Sequence, residues 1–465
     1  MAKEMNEAAK QDYDWKQQPK ADSMYRQLVD DFCEACDFAD SLRDQMLSQT
    51  GTRLIDWVDH LAVSQSTELN GASFESQLIE FGYAFDAENE HGRWYTHDGG
   101  LFVPICVGPS EVRRLVVQVE RVDDFLAAHR IYDVEIEGTR WSQMRRAKIS
   151  ADDECELWVC ERHGYPSWSV PYHADAVLAV AAQHFEAFKL RKRDFESDAE
   201  GFALARQLVS AAINDLGVDW TCDLFFASER EFWQRRNLAA RVQKGRQDRL
   251  GLGWANHDHH TYRSSRTAFS SMIEVFEMLG FHCRERFYAG KEAGWGAQVL
   301  EQTGTGIIIF ADVDLTPEEL AGDFAHTPLA ENPELGTVGL WCQLHGEAFL
   351  QAGMHHLECT FDFDAAREQL DSVGIPSMQP FTDFGYLRQA FTTGEIWKAI
   401  PRRTQEAVTK GFITAEQAEK FLTEGSIGSH MEILERNEGF KGFNQTGVSD
   451  IIRKTDPRTI GVGND

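Results

Sequence analysis

No apolar run in the 465-residue chain approaches the roughly 18 residues a membrane span needs, so a transmembrane protein is not expected. The chain is also poor in positive charge. Lys and Arg total 46 against 75 Asp and Glu, giving a net charge of −29 that repels a phosphate backbone and an anionic membrane surface alike. No arginine-rich stretch or RNA-binding signature offsets it, and nucleic acid is excluded as a partner. The first residues, MAKEMNEAAKQDYDWKQQPK, hold no apolar segment of the secretory kind, so the expected compartment is the cytoplasm. A disulfide framework is missing too: nine scattered cysteines, an odd number, read as reduced thiols. Short metal motifs such as His-Glu-x-x-His do not occur. Gly304-Thr305-Gly306 lacks the rest of a nucleotide fingerprint and reads as a turn.

What is present is a globular composition, 42% hydrophobic and 11% aromatic, long enough for two to four units of roughly 150 residues. Residues 1–50 are helical in pattern, with Met24, Leu28, Phe32 and Phe38 at helical spacing. Residues 51–172 alternate strand, helix and several strands: LIDWVDHLAV, then SFESQLIEFGYAF, later VEIEGTRW, RRAKIS and CELWVCERHGY. Residues 173–250 form a helical bridge, and the first texture returns over 251–465, interrupted by a helical insertion at about 395–425. The fold class is α+β, in two related halves.

The repeat is legible in the letters. Asp59-His60-Leu61 opens the first half and Asp258-His259-His260 the second; amphipathic helices follow, ending in Phe81-Gly82 and Leu279-Gly280-Phe281. Each half closes on a Glu-Arg pair, Glu161-Arg162 and Glu435-Arg436, and superposing the pairs sets Glu432 opposite Trp158. Only the second half then keeps a carboxylate there, so the first is expected to hold no metal. His60 with Glu156 or Glu161 is the weaker candidate for a second metal site.

In the second half His259, His356 and Glu432 lie on three different strand candidates, 97 and 76 residues apart (356 − 259 and 432 − 356). Two neutral imidazoles and one carboxylate on one face of an ion form the facial triad of non-haem Fe(II) oxygenases, with positions left open for substrate and oxygen. With 16 histidines in the chain, a surface or hydrogen-bonded histidine is the commoner case. The adjacent pairs His259-His260 and His355-His356 help, because strand alternation sends one member to each face; His260 and His355 stay open as alternative ligands. Arg263, four residues after His259, falls on the same face as that ligand. It is read either as a clamp for a substrate carboxylate or as a surface salt bridge. Gln389 is read as orienting the substrate through an amide that donates and accepts, or as bonding neighbouring backbone. Cys33-x-x-Cys36 has no second pair and reads as two ordinary thiols. Arg402-Arg403 on the insertion is read as attracting an acidic substrate or, the commoner case, as solvated surface charge.

These residues also carry a resemblance. Asp258-His259-x-x-Tyr262-Arg263-Ser264 followed by a helix ending Leu-Gly-Phe is similar to the opening of the metal-bearing domain in the 2-oxoadipate dioxygenase/decarboxylase (hydroxyglutarate synthase) family. That family belongs to the vicinal oxygen chelate superfamily of glyoxalase-like, paired βαβββ modules. His356-Leu357 with Thr360 and Asp362, Leu387-Arg388-Gln389, and Glu432-Ile433-Leu434-Glu435-Arg436 with the tail EGFKGFNQTGVSDIIRKT look like its later strands and C-terminus. The same closing segment, together with the stretch Gly385 to Thr392, also resembles 4-hydroxyphenylpyruvate dioxygenase, a more distant cousin. The likeness covers roughly residues 250–460, and compact members of the first family have no clear counterpart to the first half. It implies Fe(II), or another divalent metal, held by His259, His356 and Glu432, and dioxygen with a small 2-oxo acid such as 2-oxoadipate as partners. Oxidative decarboxylation to a hydroxy acid would follow, with Arg263 clamping a substrate carboxylate. The rival readings are a metal-dependent lyase or isomerase of the same superfamily and a metal-free small-molecule binder.

Overall fold

A computed structural model describes residues 15–69, 71–151, 153–290, 293–444 and 456–459. The strand-forming runs found by pattern assemble into two large mixed sheets, one per half. In the first half β1 (Val58–Ser64), the short pair β2 (Glu68–Leu69) and β3 (Ala72–Ser73), β4 (Ala84–Asn89), β5 (Gly92–Thr96), β6 (Ile105–Gly108), β7 (Arg113–Gln118), β8 (Ile136–Glu137), β9 (Met144–Ala151) and β10 (Cys155–Arg162) follow one another. Apart from β2 and β3 they form an eight-stranded sheet in the order β4-β5-β6-β1-β7-β10-β9-β8. In the second half come β11 (His257–Arg263), β12 (His282–Tyr288), β13 (Trp295–Gln302), β14 (Ile307–Asp314), β15 (His356–Thr360), β16 (Thr382–Phe384), β17 (Leu387–Phe391), β18 (Glu395–Trp397) and β19 (Ser426–Arg436). Their order is β12-β13-β14-β11-β15-β19-β17-β16, with β18 on β19.

Each sheet is two βαβββ modules. A module's first strand lies parallel to its last, β1 on β6, β7 on β10, β11 on β14 and β15 on β19. The two modules join through their antiparallel first strands, β1 on β7 and β11 on β15. Register carries the repeat down to single residues. Both opening strands bulge at the Asp of the Asp-His step, between Val58 and His60 and between His257 and His259. His60 then faces Val116 and Val116 faces Trp158, while His259 faces Glu358 and Glu358 faces Glu432. Trp158 thus stands where Glu432 stands in the other half.

The expectations differ from the structure in places. Leu54–Trp57, read as the start of a strand, winds into a single helical turn before β1. VEIEGTRW keeps only β8 as strand, because Gly138 (φ 89°) and Trp141 (φ 72°) turn the chain away from extended geometry. The bridge is four helices, Asp175–Leu190, Asp198–Leu216, Val218–Gln234 and Leu238–Asp248. Their buried faces (Leu178, Phe202, Phe225, Phe226) pack in one core with Tyr262, Met272, Leu357 and Met431 beneath the second sheet. The amino-terminal helices Pro19–Ala35 and Asp37–Thr50 instead pack on the first sheet, through Met24, Phe32 and Leu42. Between β17 and β19 the chain inserts β18 and the helices Pro401–Thr409 and Ala415–Glu424. Among the described residues no helix is long and apolar enough to cross a membrane.

The helix Asp37–Thr50 ends at Gly51, whose φ of 65° lets it turn while its carbonyl accepts from Asp362 N at 2.9 Å. A Cβ there would lie 2.7 Å from the Ala366 backbone. Gly51→Ala is therefore expected to cost about 1–3 kcal/mol of stability through backbone strain and displacement of the Phe363–Asp371 helix. Thermal unfolding reads this directly, and an unchanged Tm would contradict it.

Candidate metal centre

β11, with the sequence HDHHTYR, is a strand that propensity disfavours, yet His259 to Arg263 are all buried. Such conflict between local preference and burial is expected at functional or strained sites. From the bulge onward, alternation turns His259, Thr261 and Arg263 to one side of the sheet, where they line a cavity of about 70 Å³. His356 and Glu358 enter it from β15, Gln389 and Phe391 from β17, and His430 and Glu432 from β19. Phe287, Trp295 and Phe310 wall it from the far strands, and Phe381 and Phe443 close it. The tail residues 445–455 that extend the resemblance lie outside the described residues.

The five sequence-predicted residues, His259, His356, Glu432, Arg263 and Gln389, thus meet at one cavity. His356 Nε2 lies 3.5 Å from Glu432 Oε2 and 3.9 Å from Glu358 Oε1. His259 Nε2 is in contact with Glu358 Oε2. Glu358 is therefore the residue around which the three predicted ligands gather, and sequence reasoning missed it. The signal was available: His356-Leu357-Glu358 puts imidazole and carboxylate on one face by the alternation already used for Arg263. The same holds for His430, two residues before Glu432.

His259 is aimed by its neighbours. Its Nδ1 donates to Asp258 Oδ1 at 2.8 Å, and Asp258 is gripped by Arg436 through Nε (2.8 Å) and Nη2 (3.1 Å). This fixes the tautomer with the Nε2 lone pair facing the cavity, the arrangement that orients metal-bound histidines. Burial works against the Asp258 charge, but Arg436 and His259 outweigh it and hold the carboxyl well below the usual range. Burial pushes His259 down to about 4, with Asp258 opposing, and pushes His356 well below the ordinary histidine value. Both imidazoles are neutral at neutral pH, as ligation requires. Glu358 and Glu432 are raised above the carboxylate range, first by burial; Glu358 is raised further by the charge of Glu432 and by their hydrogen bond, so the pair retains a proton. Gln389 Nε2 donates to Glu432 Oε1 at 2.9 Å, so the amide steadies this carboxylate and only its Oε1 is left without a partner.

Arg263 is 4% exposed, which removes the surface salt bridge as its explanation. Its Nε reaches Asp312 Oδ2 only at 3.5 Å, its guanidinium lies 5.6 Å from the Trp341 ring centroid, and Nη1 has no partner. Asp312 is itself pushed up to about 7 by burial, with Arg263 pulling the other way. A buried cation with a free donor facing a cavity suits an anionic ligand group.

The alternatives are placed elsewhere. His260 faces the opposite core, its Nε2 accepting from Arg230 Nη1 at 3.2 Å beside Phe226. His355 precedes β15, so alternation does not govern it, and its Nδ1 donates to Gly428 O at 3.1 Å outside the cavity lining. In the first half His60 keeps the scaffold, with Asp59 at 2.6 Å and Arg162 on Asp59. Val116 and Trp158 replace the two carboxylates there. Glu156 is taken by Arg114 and Lys148 and Glu161 by Arg145 and His163, so neither faces His60 as a ligand. Cys33 and Cys36 are free thiols. Arg403, expected to be solvated, is buried and anchors the insertion on Asp198, while Arg402 stays partly exposed beside Glu406 and also donates to Phe195 O.

The donor set fits a divalent cation. His356, Glu358 and Glu432 offer donor atoms within 4.8 Å of one another, and His259 joins them through Glu358; Asp258, within the same reach of His259 and Glu358, is already held by His259 and Arg436. Two buried carboxylates side by side need a cation or a proton.

Neither a family model nor a curated protein sequence matches the chain. Among solved structures, methylmalonyl-CoA epimerase from Mycobacterium tuberculosis is similar at 14% identity, over 39% of this chain and 88% of the other, with a TM-score of 0.23. A mutant of 4-hydroxymandelate synthase from Streptomyces coelicolor is similar at 12% identity over 74% and 95%, TM-score 0.27. The Mn(II)-bound glyoxalase from Novosphingobium aromaticivorans is similar at 10% identity over 84% and 86%, TM-score 0.19. Values this low leave the functional reading to the site's own residues.

Two outcomes follow from this geometry. Asp258→Asn should weaken divalent-metal affinity by about 10–100-fold with the fold retained, measured by titration with Mn²⁺; unchanged affinity would contradict the orienting role. A carboxyl whose folded pKa is raised adds stability while protonated and loses that contribution as pH rises from its unfolded value, here 4.5, through the folded one. With chelator present, the Tm of the wild type relative to Glu358→Gln should therefore fall between pH 4.5 and 8; parallel curves would contradict a shared proton.

Proposed function

We propose that the protein is a non-haem Fe(II) dioxygenase of the vicinal oxygen chelate type that oxidatively decarboxylates a small 2-oxo acid, with 2-oxoadipate the first candidate. The observation that carries this reading is the convergence of His259, His356 and Glu432 from β11, β15 and β19 on one buried, largely aromatic cavity with Arg263 in its wall. His259, His356 and Glu432 would hold the metal, with Glu358 beside them. When bound, Fe(II) supplies the redox chemistry with dioxygen that side chains lack.

The chain's own residues do the rest. Asp258, fixed by Arg436, keeps His259 aimed at the cavity, and Gln389 keeps the Glu432 carboxylate in place. Glu358 holds the proton that must leave when a cation arrives, and is placed to take one from a substrate. Arg263 meets the distal carboxylate of a dicarboxylic oxo acid with its free Nη1. Phe287, Phe310 and Phe391 flank the chain between the two ends and exclude bulk water, which strengthens both contacts.

Glu358 favours one second reading. A buried carboxyl of raised pKa next to a metal is also the equipment of a lyase or isomerase that abstracts a proton while the metal acts as a Lewis acid. Oxygen uptake with release of carbon dioxide separates the two.

The test is an oxygen-electrode screen of the Fe(II)-loaded protein over a panel of 2-oxo acids. Stoichiometric oxygen consumption and carbon dioxide release are expected with a dicarboxylic member, and turnover without oxygen uptake would transfer the assignment to the isomerase or lyase reading. Glu432→Ala should lose metal and turnover while its circular dichroism is unchanged; unchanged metal content would remove Glu432 from the site. Arg263→Ala should raise KM for dicarboxylic acids by about 10–100-fold, the worth of one charged hydrogen bond. Equal loss for monocarboxylic acids would contradict the clamp.

A further inference from the structure

Beside the carboxylate pair lies a second group of donors, of which the proposed function uses only His356. The rings of His355, His356 and His430 sit with centroids 4.9, 4.9 and 4.6 Å apart, and each offers a nitrogen within 4.8 Å of the others. They are 0%, 6% and 2% exposed. The bond from His355 Nδ1 to Gly428 O sets that ring's tautomer, leaving the lone pair on Nε2, and this nitrogen has no partner. Nor do His356 Nδ1 or either nitrogen of His430. Buried polar atoms are almost always satisfied, and leaving them unpaired costs free energy. Four unpartnered imidazole nitrogens in one cluster, one of them already oriented by a backbone carbonyl, are the makings of a ligand shell.

We propose that His355, His356 and His430 form a second metal site, for a borderline divalent cation of the Cu²⁺ or Zn²⁺ kind. An all-imidazole donor set suits such ions, whereas the carboxylate-rich set next to it suits harder ones. His356 belongs to both sets, and a neutral imidazole has a single lone pair. The two sites are therefore filled alternately, and an ion in the histidine trio withdraws His356 from Glu358 and Glu432. The exclusion rests on the proposed function; the trio itself does not.

Copper(II) titrated into full-length Glu358→Gln/Glu432→Gln protein and followed by electron paramagnetic resonance is expected to show one bound ion per chain, with hyperfine structure from three nitrogens. Adding His430→Phe to that protein should weaken binding by more than the about 10–100-fold that an outer-shell change costs. His355→Phe in the wild-type background should leave Mn²⁺ binding at the carboxylates intact. No copper in the folded double variant, or a spectrum indifferent to both His430→Phe and His355→Phe, overturns the trio. If the double variant does not fold, copper is titrated into Mn²⁺-loaded wild type: a three-nitrogen spectrum with release of Mn²⁺ supports the proposal, and a two-nitrogen spectrum or both ions bound together overturns it. Failure of Mn²⁺ to bind wild type, with three-nitrogen copper retained, would instead sink the reading of the first site.

Discussion

Two carboxylates buried against each other, Glu358 and Glu432, set the terms for the rest of the second half. Each is 4% exposed or less, and they face one another across the parallel β15–β19 pair. Ionised together they repel at short range in a medium that screens poorly, so the folded chain must keep a proton on them or supply a cation. The surroundings are arranged for both. Gln389 gives Glu432 one donor, and two neutral imidazoles turn lone pairs toward the carboxylates. Arg436, the cation whose charge acts on both carboxylates, is occupied by Asp258 behind His259.

The Asp-Arg pair is best understood by comparing the halves. Arg436 also donates to Phe440 O and Gly442 O, and Arg162 likewise to Tyr165 O and Ser167 O while holding Asp59. In both halves the arginine ties the end of the last strand and the following turn to the opening Asp-His step. That bond is part of the scaffold and persists where Val116 and Trp158 stand in place of the two carboxylates. In the first half the space beside His60 is filled instead by Trp94 and Trp168, with Arg114 and Arg146 on the Trp168 ring. One half spends the pocket on packing, the other on polar groups that packing alone cannot satisfy.

How much of this was readable from the letters depended on whether the information was local. The repeat was, because Asp-His and Glu-Arg pairs sit at fixed offsets in strands, and superposing them placed Trp158 against Glu432 as the register does. Alternation placed Arg263 beside His259. The split it predicts for His355-His356 also holds, His356 lining the cavity and His355 not, although His355 lies before its strand; it was not applied to His-x-Glu in β15, so Glu358 went unseen. Partnerships across the sheet were out of reach: that Gln389 serves Glu432, or that Arg403 is an anchor, depends on which strands and helices become neighbours. The same is true of the bridge helices, whose amphipathic pattern shows a buried face but not that the second sheet covers it.

The most direct measurement is anomalous diffraction from crystals of the metal-loaded protein, collected at the absorption edge of iron or manganese. The account predicts one peak within about 2.2 Å of donor atoms of His259, His356 and Glu432 together, with Glu358 at or next to the ion. A loaded crystal with no peak in that cavity, or a peak that touches neither His259 nor Glu432, would contradict it.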